Sequence, residues 1–443
     1  MKRMALPLAL AGVLALAVAS AGAERLPSSF GSSQLDRSFG DGGKVVEPGH
    51  LLGIGGPAAA ADRKGRIVVA STATGSSIRL ARYLPNGRLD RSFGSGGTVT
   101  ASIGGGVEAN AAVVDGRGRI VVGGLIRTER GIGGGFVARF LPDGALDTSF
   151  GSGGFASAFS AGSAFNAVAF DHHGRIVAAG FSNAGRSQFA VARFTRDGSL
   201  DSGFGSGGTR IVPFRLSSKA YAVTIDARDR IVMAGQRATP APGGATQFAL
   251  ARLQPNGSFD PSFGVGGRVT GVMGSGPLAG PGLTAGLYAV AIVPTGRIVA
   301  AGDAFFHGTK WDFTVLGYKP NGRLDRRFAS RGIAHTSFGL RDHAAALAVD
   351  GAGRITVAGA ASNPCGRYTC SSFGIARFSA GGARQRGFGV DGRARTSIGF
   401  TSAATSVVPQ RRHRVILAGI TSDRHVNSTR LALAKYVTRT VHR

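Results

Sequence analysis

Hydrophobic and polar residues alternate in short runs along most of the chain. Runs rich in Val, Ile, Phe and Ala end at Gly, Pro, Asn or Asp, as in 109–114 and 136–140. Short runs of this kind, bounded by turn-forming residues, predict β-strands. Long stretches with the 3.6-residue period of an amphipathic helix are missing, although 43% of the residues are hydrophobic. The pattern therefore predicts an all-β protein.

Four such runs, which we call a, b, c and d, return in a fixed order. Between c and d lies a stretch of the form Leu-Asp-x-Ser-Phe-Gly-x-Gly-Gly, clearest at 89–97. Its acidic position is filled, in chain order, by Asp36, Asp90, Asp147, Asp201, Asp260, Asp325 and, in a degenerate seventh copy, Gln385. Self-similarity at such spacing is typical of repeat architectures. Seven copies of a four-stranded antiparallel unit predict a seven-bladed β-propeller.

The two ends of the repeat array complement each other. The first copy has only the Leu-Asp stretch and a d run near 44–47, whereas the last, at 403–437, has a, b and c without d. We expect the N-terminal strand to become the outer strand of the last blade, because ring closure hides strand edges that would otherwise be unpaired. An open solenoid would instead be expected to carry capping repeats. Residues 34–437 are therefore predicted to form one propeller domain.

Residues 1–23 have the features of a secretory signal peptide. Lys2 and Arg3 precede an apolar run from Ala5 to Ala19, and the small residues 21–23 offer a cleavage site. The apolar run is shorter than the roughly 20 residues that a membrane-spanning helix needs. We expect the segment to be removed, which predicts a secreted or otherwise extracytoplasmic protein without membrane insertion.

Cys365 and Cys370 are the only two cysteines of the chain. In an exported protein, an even pair this close in sequence favours a local disulfide. A metal site at this point would need two more ligands nearby, and the neighbouring sequence supplies none. We therefore expect a disulfide, and neither a metal nor a cofactor.

The net charge of +28 is unusually high for a chain of this length. Each repeat carries an Arg before strand b, most carry an Arg in strand c, and most carry an Asp both in the a–b turn and in the Leu-Asp stretch. We interpret these repeated charges as structural ion pairs. The fifth blade supports this interpretation, since Pro294 replaces the turn Asp and Gly317 replaces the strand-c Arg. The seventh blade, with Pro409 at the turn Asp position and Lys435 in strand c, fits it less well. The Phe of each Leu-Asp stretch is interpreted as a buried plug between blades.

The repeat has a recognisable consensus. Pro-Asn-Gly-x-Leu-Asp-x-Ser-Phe-Gly-x-Gly-Gly is followed by Ala-Val-x-x-Asp-x-x-Gly-Arg-Ile-Val-Val-Ala-Gly. This unit resembles the delta-60 repeat family of exported bacterial proteins over nearly all of 34–437. Its a–b half is similar to blades of the NHL class, whose members mostly bind partners. The resemblance implies a propeller and leaves the activity open.

The charges outside the repeated positions are predicted to serve binding. Antiparallel order places the irregular b–c and d–a loops on one face of the ring, and loops on a rigid scaffold commonly carry recognition. The basic and aromatic residues expected there are Arg127, Arg130, Arg237, His307, Lys310, Trp311, Arg367, Tyr368 and Arg424. The favoured function is a non-catalytic scaffold that binds a protein or an anionic cell-envelope polymer. A solvated rim that keeps the protein soluble is the alternative for these residues.

A propeller enzyme, lyase-like or lactonase-like, is the alternative function. Its acid–base groups would stand at the mouth of the central channel, where the candidates are Glu108, Tyr288 and His343. Contact between Glu108 and His343 would favour this function. Nucleic-acid binding is not expected, because no nucleic-acid-binding motif accompanies the charge. We expect a monomer.

Overall fold

The computed structural model describes residues 34–48, 56–73, 77–103, 105–129, 131–159, 162–183, 185–240, 245–271, 285–306, 310–365, 368–424 and 429–438. The signal peptide expected at 1–23 lies outside these residues. The described chain consists of strands and turns, as expected from its alternating pattern, and it has no helix capable of crossing a membrane.

Seven antiparallel sheets of four strands make up the ring. Strand β1 (Lys44–Val46) precedes the first complete blade. Blades 1 to 4 are formed in turn by β2 (Ala58–Ala61), β3 (Ile67–Ala73), β4 (Ser77–Tyr83) and β5 (Thr98–Ala101); β6 (Gly106–Val114), β7 (Ile120–Thr128), β8 (Gly131–Phe140) and β9 (Phe155–Ala158); β10 (Ala164–Phe170), β11 (Ile176–Ser182), β12 (Gln188–Phe194) and β13 (Thr209–Val212); β14 (Ser218–Ile225), β15 (Ile231–Ala238), β16 (Thr246–Leu253) and β17 (Arg268–Gly271).

Blades 5 to 7 complete the ring. They are formed by β18 (Gly286–Ile292), β19 (Ile298–Phe306), β20 (Lys310–Tyr318) and β21 (Ile333–Thr336); β22 (His343–Val349), β23 (Ile355–Cys365), β24 (Tyr368–Phe378) and β25 (Arg393–Thr396); and β26 (Thr401–Gln410), β27 (Arg414–Ser422) and β28 (Thr429–Val437) together with β1. In every complete blade the four strands follow one another in the order a, b, c, d.

The N-terminal strand closes the ring. Strand β1 pairs antiparallel with β28 in blade 7, with Val45 opposite Leu433. A second contact joins blades 7 and 1, because the Thr405 hydroxyl donates to the Pro57 carbonyl at 2.5 Å. The predicted closure is thus confirmed, and the a strands of successive blades contact one another around the whole ring.

The hydrophobic core lies between the blades rather than at the centre of the ring. The Phe of each Leu-Asp stretch is at most 1% exposed and packs in this layer, which confirms the plug interpretation. These seven residues are Phe39, Phe93, Phe150, Phe204, Phe263, Phe328 and Phe388. Burying seven Phe side chains stabilises the ring by roughly 1.5–3 kcal/mol each.

The repeated charges form ion pairs, as predicted. In blade 4, the strand-c Arg252 pairs with Asp260 at 2.7 Å and lies over the Phe263 ring at 4.6 Å. The same guanidinium donates to the carbonyl of Pro320 in the next blade. The strand-b Arg230 pairs with the a–b turn Asp226 at 2.7 Å. One strand-c arginine therefore holds its own c–d turn, a plug ring and the adjacent blade together.

Blade 5 lacks two of these partners and compensates for them. Its strand-b Arg297 pairs with Asp325 at 2.8 Å and donates to the Ala380 carbonyl of blade 6 at 2.7 Å. Arg297 thereby makes the contacts that the strand-c arginine makes elsewhere. Gly317 leaves room for this arrangement, since a Cβ atom there would lie 2.4 Å from the Phe328 ring.

The sequence alignment of two a–b turns was wrong by one residue. The amide of Val293 donates to the Arg297 carbonyl, as Asp62 does to Arg66 in blade 1, so Val293 and not Pro294 holds the Asp position. In blade 7 the register pairs Gln410 with Arg414, so Gln410 and not Pro409 holds that position. In both blades the neighbouring proline was matched to the turn Asp position, because proline is a strong turn-forming residue.

Blades 6 and 7 retain the charge network in altered form. Arg377 donates to the Gln385 side chain at 3.0 Å and pairs with Asp350 at 3.3 Å. In blade 7, Arg414 lies 2.7 Å and Lys435 lies 3.6 Å from Asp36. Asp36 belongs to the N-terminal segment, so this ion-pair group also fastens the closure of the ring.

The ring has two distinct faces. Because neighbouring strands run antiparallel, the a–b and c–d turns emerge on one side, which we call the turn face, and the b–c and d–a loops emerge on the other, the loop face. The a strands are innermost, so a–b turns and the starts of a strands stand closest to the central channel.

Candidate functional site

Arg127 and Glu108 form an ion pair on the loop face. Arg127 stands near the end of β7 and Glu108 near the start of β6, and the two strands are paired neighbours. The Glu108 carboxylate, 12% exposed, thus has a cation beside it and contacts a residue predicted to bind ligand. Glu108 pairs with Arg127, and His343 pairs with Asp303, so neither makes the mutual contact that would favour an enzyme.

The other described loop-face candidates lie in separate blades. Arg237 in β15 donates to the Gln247 side chain at 2.9 Å. Trp311 in β20 packs edge to face on Phe305 with 6.1 Å between ring centres. Arg424, which follows β27, lies 5.8 Å from the Phe400 ring. The structure therefore spreads these residues around the loop face, and each has a neighbour within its own blade or the adjoining loop.

All nine predicted binding residues remain predictions as ligand contacts, and for five of them the structure describes no side chain. Arg130, His307 and Arg367 lie outside the described residues. Lys310 and Tyr368 are described by their backbone, at the first positions of β20 and β24, where Lys310 pairs with Phe306 and Tyr368 with Cys365.

The disulfide between Cys365 and Cys370 spans the b–c hairpin of blade 6, as predicted, with Cα atoms 5.8 Å apart.

Two candidate acid–base residues do come together near the loop-face mouth of the channel. Tyr221, Tyr288 and His343 begin the a strands of blades 4, 5 and 6, and their rings form a row with centres 5.2 Å and 4.7 Å apart. The two tyrosines stand at β-bulges, where the extra residue redirects its side chain. The Nδ1 atom of His343 lies 3.0 Å from Asp303.

The charges near this row affect its titration. Burial disfavours the His343 imidazolium, but the Asp303 carboxylate more than offsets this effect and raises the pKa of His343 above its ordinary value. Burial also raises the pKa of Tyr221 to about 12, and burial together with Asp303 raises the pKa of Tyr288 further. Both tyrosines are therefore neutral hydrogen-bonding groups at physiological pH, and His343 is the group able to exchange a proton.

Asp342 has a structural environment although it lies next to His343. Its side chain accepts hydrogen bonds from the Phe338 amide at 2.6 Å and from the Ser362 amide at 3.0 Å. Burial raises its pKa to about 7, even though these bonds favour the carboxylate. The carboxyl thus joins the Phe338 amide of the d–a loop to the Ser362 amide of β23, so we assign Asp342 to folding.

A cleft of about 570 Å³ lies on the turn face, opposite the surface that the sequence favoured. It crosses the a–b turns of blades 1, 2 and 3, with the apolar side chains of Val114 and Phe170 in its lining. Its cationic residues are Arg63, Arg117, Arg119 and Arg196. The volume falls within the range of pockets that bind small molecules or polymer segments, roughly 300–1,000 Å³.

Exposed basic side chains continue from this cleft along the a–b turns. They occupy both central turn positions in blades 7, 1 and 3 and one of the two in blades 2 and 4, and we call them the basic crescent: Arg411, Arg412, Arg63, Lys64, Arg117, His172, His173 and Arg228. Within the described residues, no ion pair involves the Arg and Lys members of this set. The equivalent positions in blades 5 and 6 hold Pro294, Thr295, Gly351 and Ala352. The basic crescent of the a–b turns therefore does not extend to blades 5 and 6.

A cluster of titratable side chains lies at the blade 3 end of the cleft. Asp229 of blade 4 accepts from the His172 amide at 3.0 Å, and its two oxygens lie 2.7 Å and 3.1 Å from the Nδ1 atoms of His172 and His173. Burial opposes the Asp229 carboxylate, but these hydrogen bonds and the neighbouring histidines lower its pKa overall.

Sequence reasoning overlooked the turn face because its motifs were interpreted as turns alone. The Asp-x-x-Gly signature does form turns, but its two middle positions are free to vary. Two signals were available: Asp171-His172-His173-Gly174 places adjacent histidines in a turn, and Asp226-Ala227-Arg228-Asp229 replaces the glycine with aspartate.

The comparison with family models gives one match. A model described as "Domain of unknown function (DUF5122) beta-propeller" matches residues 65–93, 118–150, 174–204, 229–263 and 294–328. Each matched stretch begins within an a–b turn and ends at the plug Phe of the same blade. The chain is thus a β-propeller repeat protein, and its resemblance to the delta-60 and NHL repeats stays a prediction.

Solved structures are similar to the chain at low identity. A protein of unknown function from Dyadobacter fermentans is 10% identical with a TM-score of 0.44, covering 86% of this chain and 94% of its own. The polysaccharide lyase Uly1 is 10% identical with a TM-score of 0.49, covering 94% and 96%. An aldose sugar dehydrogenase from Streptomyces coelicolor is 12% identical with a TM-score of 0.40, covering 88% and 98%. No curated protein matches the chain.

Proposed function

We propose that this protein is an extracytoplasmic, non-catalytic scaffold that binds an anionic polymer of the cell envelope. The observation that carries the proposal is the turn-face cleft with the basic crescent around it. The disulfide between Cys365 and Cys370 supports an extracytoplasmic location, because such bonds persist in oxidising compartments.

The chemistry of the cleft favours an anionic ligand. The guanidinium groups of Arg63, Arg117 and Arg196 can each donate two parallel hydrogen bonds to a phosphate or carboxylate. Val114 and Phe170 add apolar surface to the lining, and less polar surroundings strengthen such contacts. A crescent that continues over several blades suits a polymer with repeated charges better than a single small anion.

Binding to two polyanions with different charged groups tests the proposal. We would measure the affinity of the purified protein for polygalacturonate and for polyphosphate, with neutral dextran as the control polymer, at several salt concentrations. We expect binding to at least one polyanion that weakens as ionic strength rises, since exposed charges are screened by salt. Equal binding of dextran, or salt-independent binding, would contradict the proposal.

Two triple variants with the same change in net charge test which face of the ring binds the polyanion. The turn-face variant replaces Arg63, Arg117 and Arg196 by Gln, and the loop-face variant replaces Arg127, Arg237 and Arg424 by Gln. We expect the turn-face variant to weaken binding about tenfold or more, because each exposed pair contributes up to about 1 kcal/mol. We expect a much smaller effect of the loop-face variant. The opposite result would favour the surface predicted from the irregular loops, and melting temperatures check that both variants fold.

A second candidate function rests on the contact of His343 with Asp303 and Tyr288. An imidazole oriented by a carboxylate through Nδ1 leaves Nε2 available for general base catalysis, as a lyase-like or lactonase-like enzyme requires. Glu108 is not part of this group, because it pairs with Arg127. Turnover of an acidic polysaccharide or a lactone that is abolished in His343→Ala, and reduced in Asp303→Asn, would support the enzyme. Turnover that persists in His343→Ala would exclude this site.

A further inference from the structure

Two adjacent histidines of blade 3 face a single carboxylate of blade 4. The Nδ1 atoms of His172 and His173 lie 2.7 Å and 3.1 Å from separate oxygens of Asp229. One ligand atom each from Asp171, His173 and Asp229 lies within 4.8 Å of the other two. The imidazole side chains are 60% and 66% exposed, so an ion can reach them from solvent.

The backbone of Asp229 is left-handed at a position where most blades have glycine. Its φ is +55°, and the corresponding residues are Gly65, Gly118, Gly174, Gly296 and Gly353, with His413 at φ +57° in blade 7. Aspartate tolerates this region less readily than glycine. The chain thus places a carboxylate between the two histidines where glycine would form the turn with less strain. An unfavourable backbone held in this way is a reason to look for a function of the side chain.

We propose that His172, His173 and Asp229 form a binding site for a divalent transition-metal ion, with zinc as the expected occupant. Imidazole and carboxylate ligands suit zinc, nickel, cobalt and copper better than calcium or magnesium. Ligand atoms of His173 and Asp229 lie within 4.8 Å of each other, and the Nδ1 atom of His172 lies 2.7 Å from an Asp229 oxygen. Small rotations therefore bring these atoms toward the roughly 2.0–2.2 Å of zinc coordination.

Asp171 is expected to have a supporting role. It accepts from the His173 amide at 3.0 Å and pairs with Arg175 at 2.6 Å, so its charge is largely neutralised. Asp171 therefore positions the His172-His173 turn, while Asp229 contributes the negative charge of the site. Three protein ligands at the surface leave coordination positions for water or for a ligand at the adjoining cleft.

Metal titration of the chelator-treated protein, without a polyhistidine tag, tests the site. We expect one equivalent of Zn²⁺ to bind by calorimetry, and Co²⁺ to give the visible absorption of a low-coordinate site. Asp229→Gly is the main variant, because glycine at this position forms the same turn in five other blades. The double variant His172→Ala/His173→Ala removes both imidazoles, and His413→Ala, an exposed histidine of the blade 7 turn, is the matched control.

We expect Asp229→Gly and the double histidine variant each to weaken metal binding at least tenfold and to lose the cobalt spectrum, while His413→Ala binds as the wild type does. Zinc should also raise the melting temperature of the wild type and not that of Asp229→Gly. Absence of stoichiometric binding in the wild type, or unchanged binding in Asp229→Gly, would overturn the inference. The site goes beyond the proposed function, and polymer binding measured with a chelator present tests the two separately.

Discussion

Replacing Arg252 by Ala is expected to be among the most damaging single changes in the ring. The Arg252 side chain is 2% exposed and its partner Asp260 is 1% exposed, so the change leaves a carboxylate buried without its closest cation. It also removes the stacking on Phe263 and the hydrogen bond to the Pro320 carbonyl of the next blade. Breaking a buried pair by removing one partner costs about 3–5 kcal/mol.

This cost can be converted into a melting temperature. Unfolding entropy is about 2.1 cal/mol/K per residue, which for a ring of about 400 residues gives about 0.85 kcal/mol/K. Arg252→Ala should therefore lower the melting temperature by about 4–6 °C. Calorimetry at a fixed scan rate measures the shift, because large proteins often unfold irreversibly. Arg252→Lys is the control, since Lys435 fills this position in blade 7, and we expect it to lose about half as much.

Blade 5 indicates how the loss can be rescued. There the strand-b Arg297 pairs with the Leu-Asp carboxylate because no turn Asp competes for it. In blade 4 Arg230 already lies 3.3 Å from Asp260, but Asp226 holds it at 2.7 Å. Removing Asp226 as well should release Arg230 toward Asp260. The double variant Arg252→Ala/Asp226→Ala is therefore expected to lose less than the sum of the single losses, by about 1 kcal/mol or more. Strict additivity, or a shift below 1 °C for Arg252→Ala, would refute the reasoning.

Three further predictions concern other parts of the ring. Asp36→Ala removes the carboxylate that pairs with Arg414 across the closure, so we expect a loss of about 3 kcal/mol and faster proteolysis of the N-terminal strand; unchanged proteolysis would contradict this. Replacing Cys365 and Cys370 by Ser opens a short loop and should cost about 2 kcal/mol, measured as the difference in melting temperature with and without reductant; a reductant effect that persists in the variant would contradict it. Burial raises the pKa of Asp342 to about 7, above its value in the unfolded chain. The contribution of Asp342 to stability is therefore complete at acidic pH and declines as the pH rises from about 4 to 7. The loss is about 4 kcal/mol at most. The melting-temperature advantage of the wild type over Asp342→Asn should shrink over that range, and a constant difference would argue against it.

The fold could be predicted because its signals are local and repeated. Strand runs, turn residues and the complementary ends determine the number of blades and the closure without knowledge of any distant contact. The compensation by Arg297 could not be predicted, since it depends on which cation lies nearest to Asp325 in space. The assignment of Pro294 and Pro409 to the turn Asp position was wrong for a similar reason. Turn propensity favoured the prolines, whereas the hydrogen-bond register between strands a and b gives the position to the neighbouring residues.

The candidate site was harder to predict than the fold. The irregular loops were favoured because irregularity is a usual mark of recognition, and Arg127 there proved to be paired with Glu108. Tyr288 and His343 were named from their place at strand starts, and their contact follows from the adjacency of blades 5 and 6. Asp303 was not named, because it lies in strand b and reaches His343 only through the packing of adjacent blades.

The turn-face cations are not required by the fold. The turn with Thr295 closes through the Gly296 amide and the Val293 carbonyl at 2.8 Å, and the turn with Ala352 closes equally through Gly353 and Asp350. A cation at the third turn position therefore adds nothing that these two turns lack. Placing like charges on neighbouring turns costs free energy through mutual repulsion. The repeated arginines of strands b and c reduce that cost by pairing with aspartates. In contrast, no ion pair of the described chain involves Lys64, Arg117, Arg228 or Arg412. An unpaired and dispensable group of cations that borders a cleft is explained by an anionic partner better than by folding.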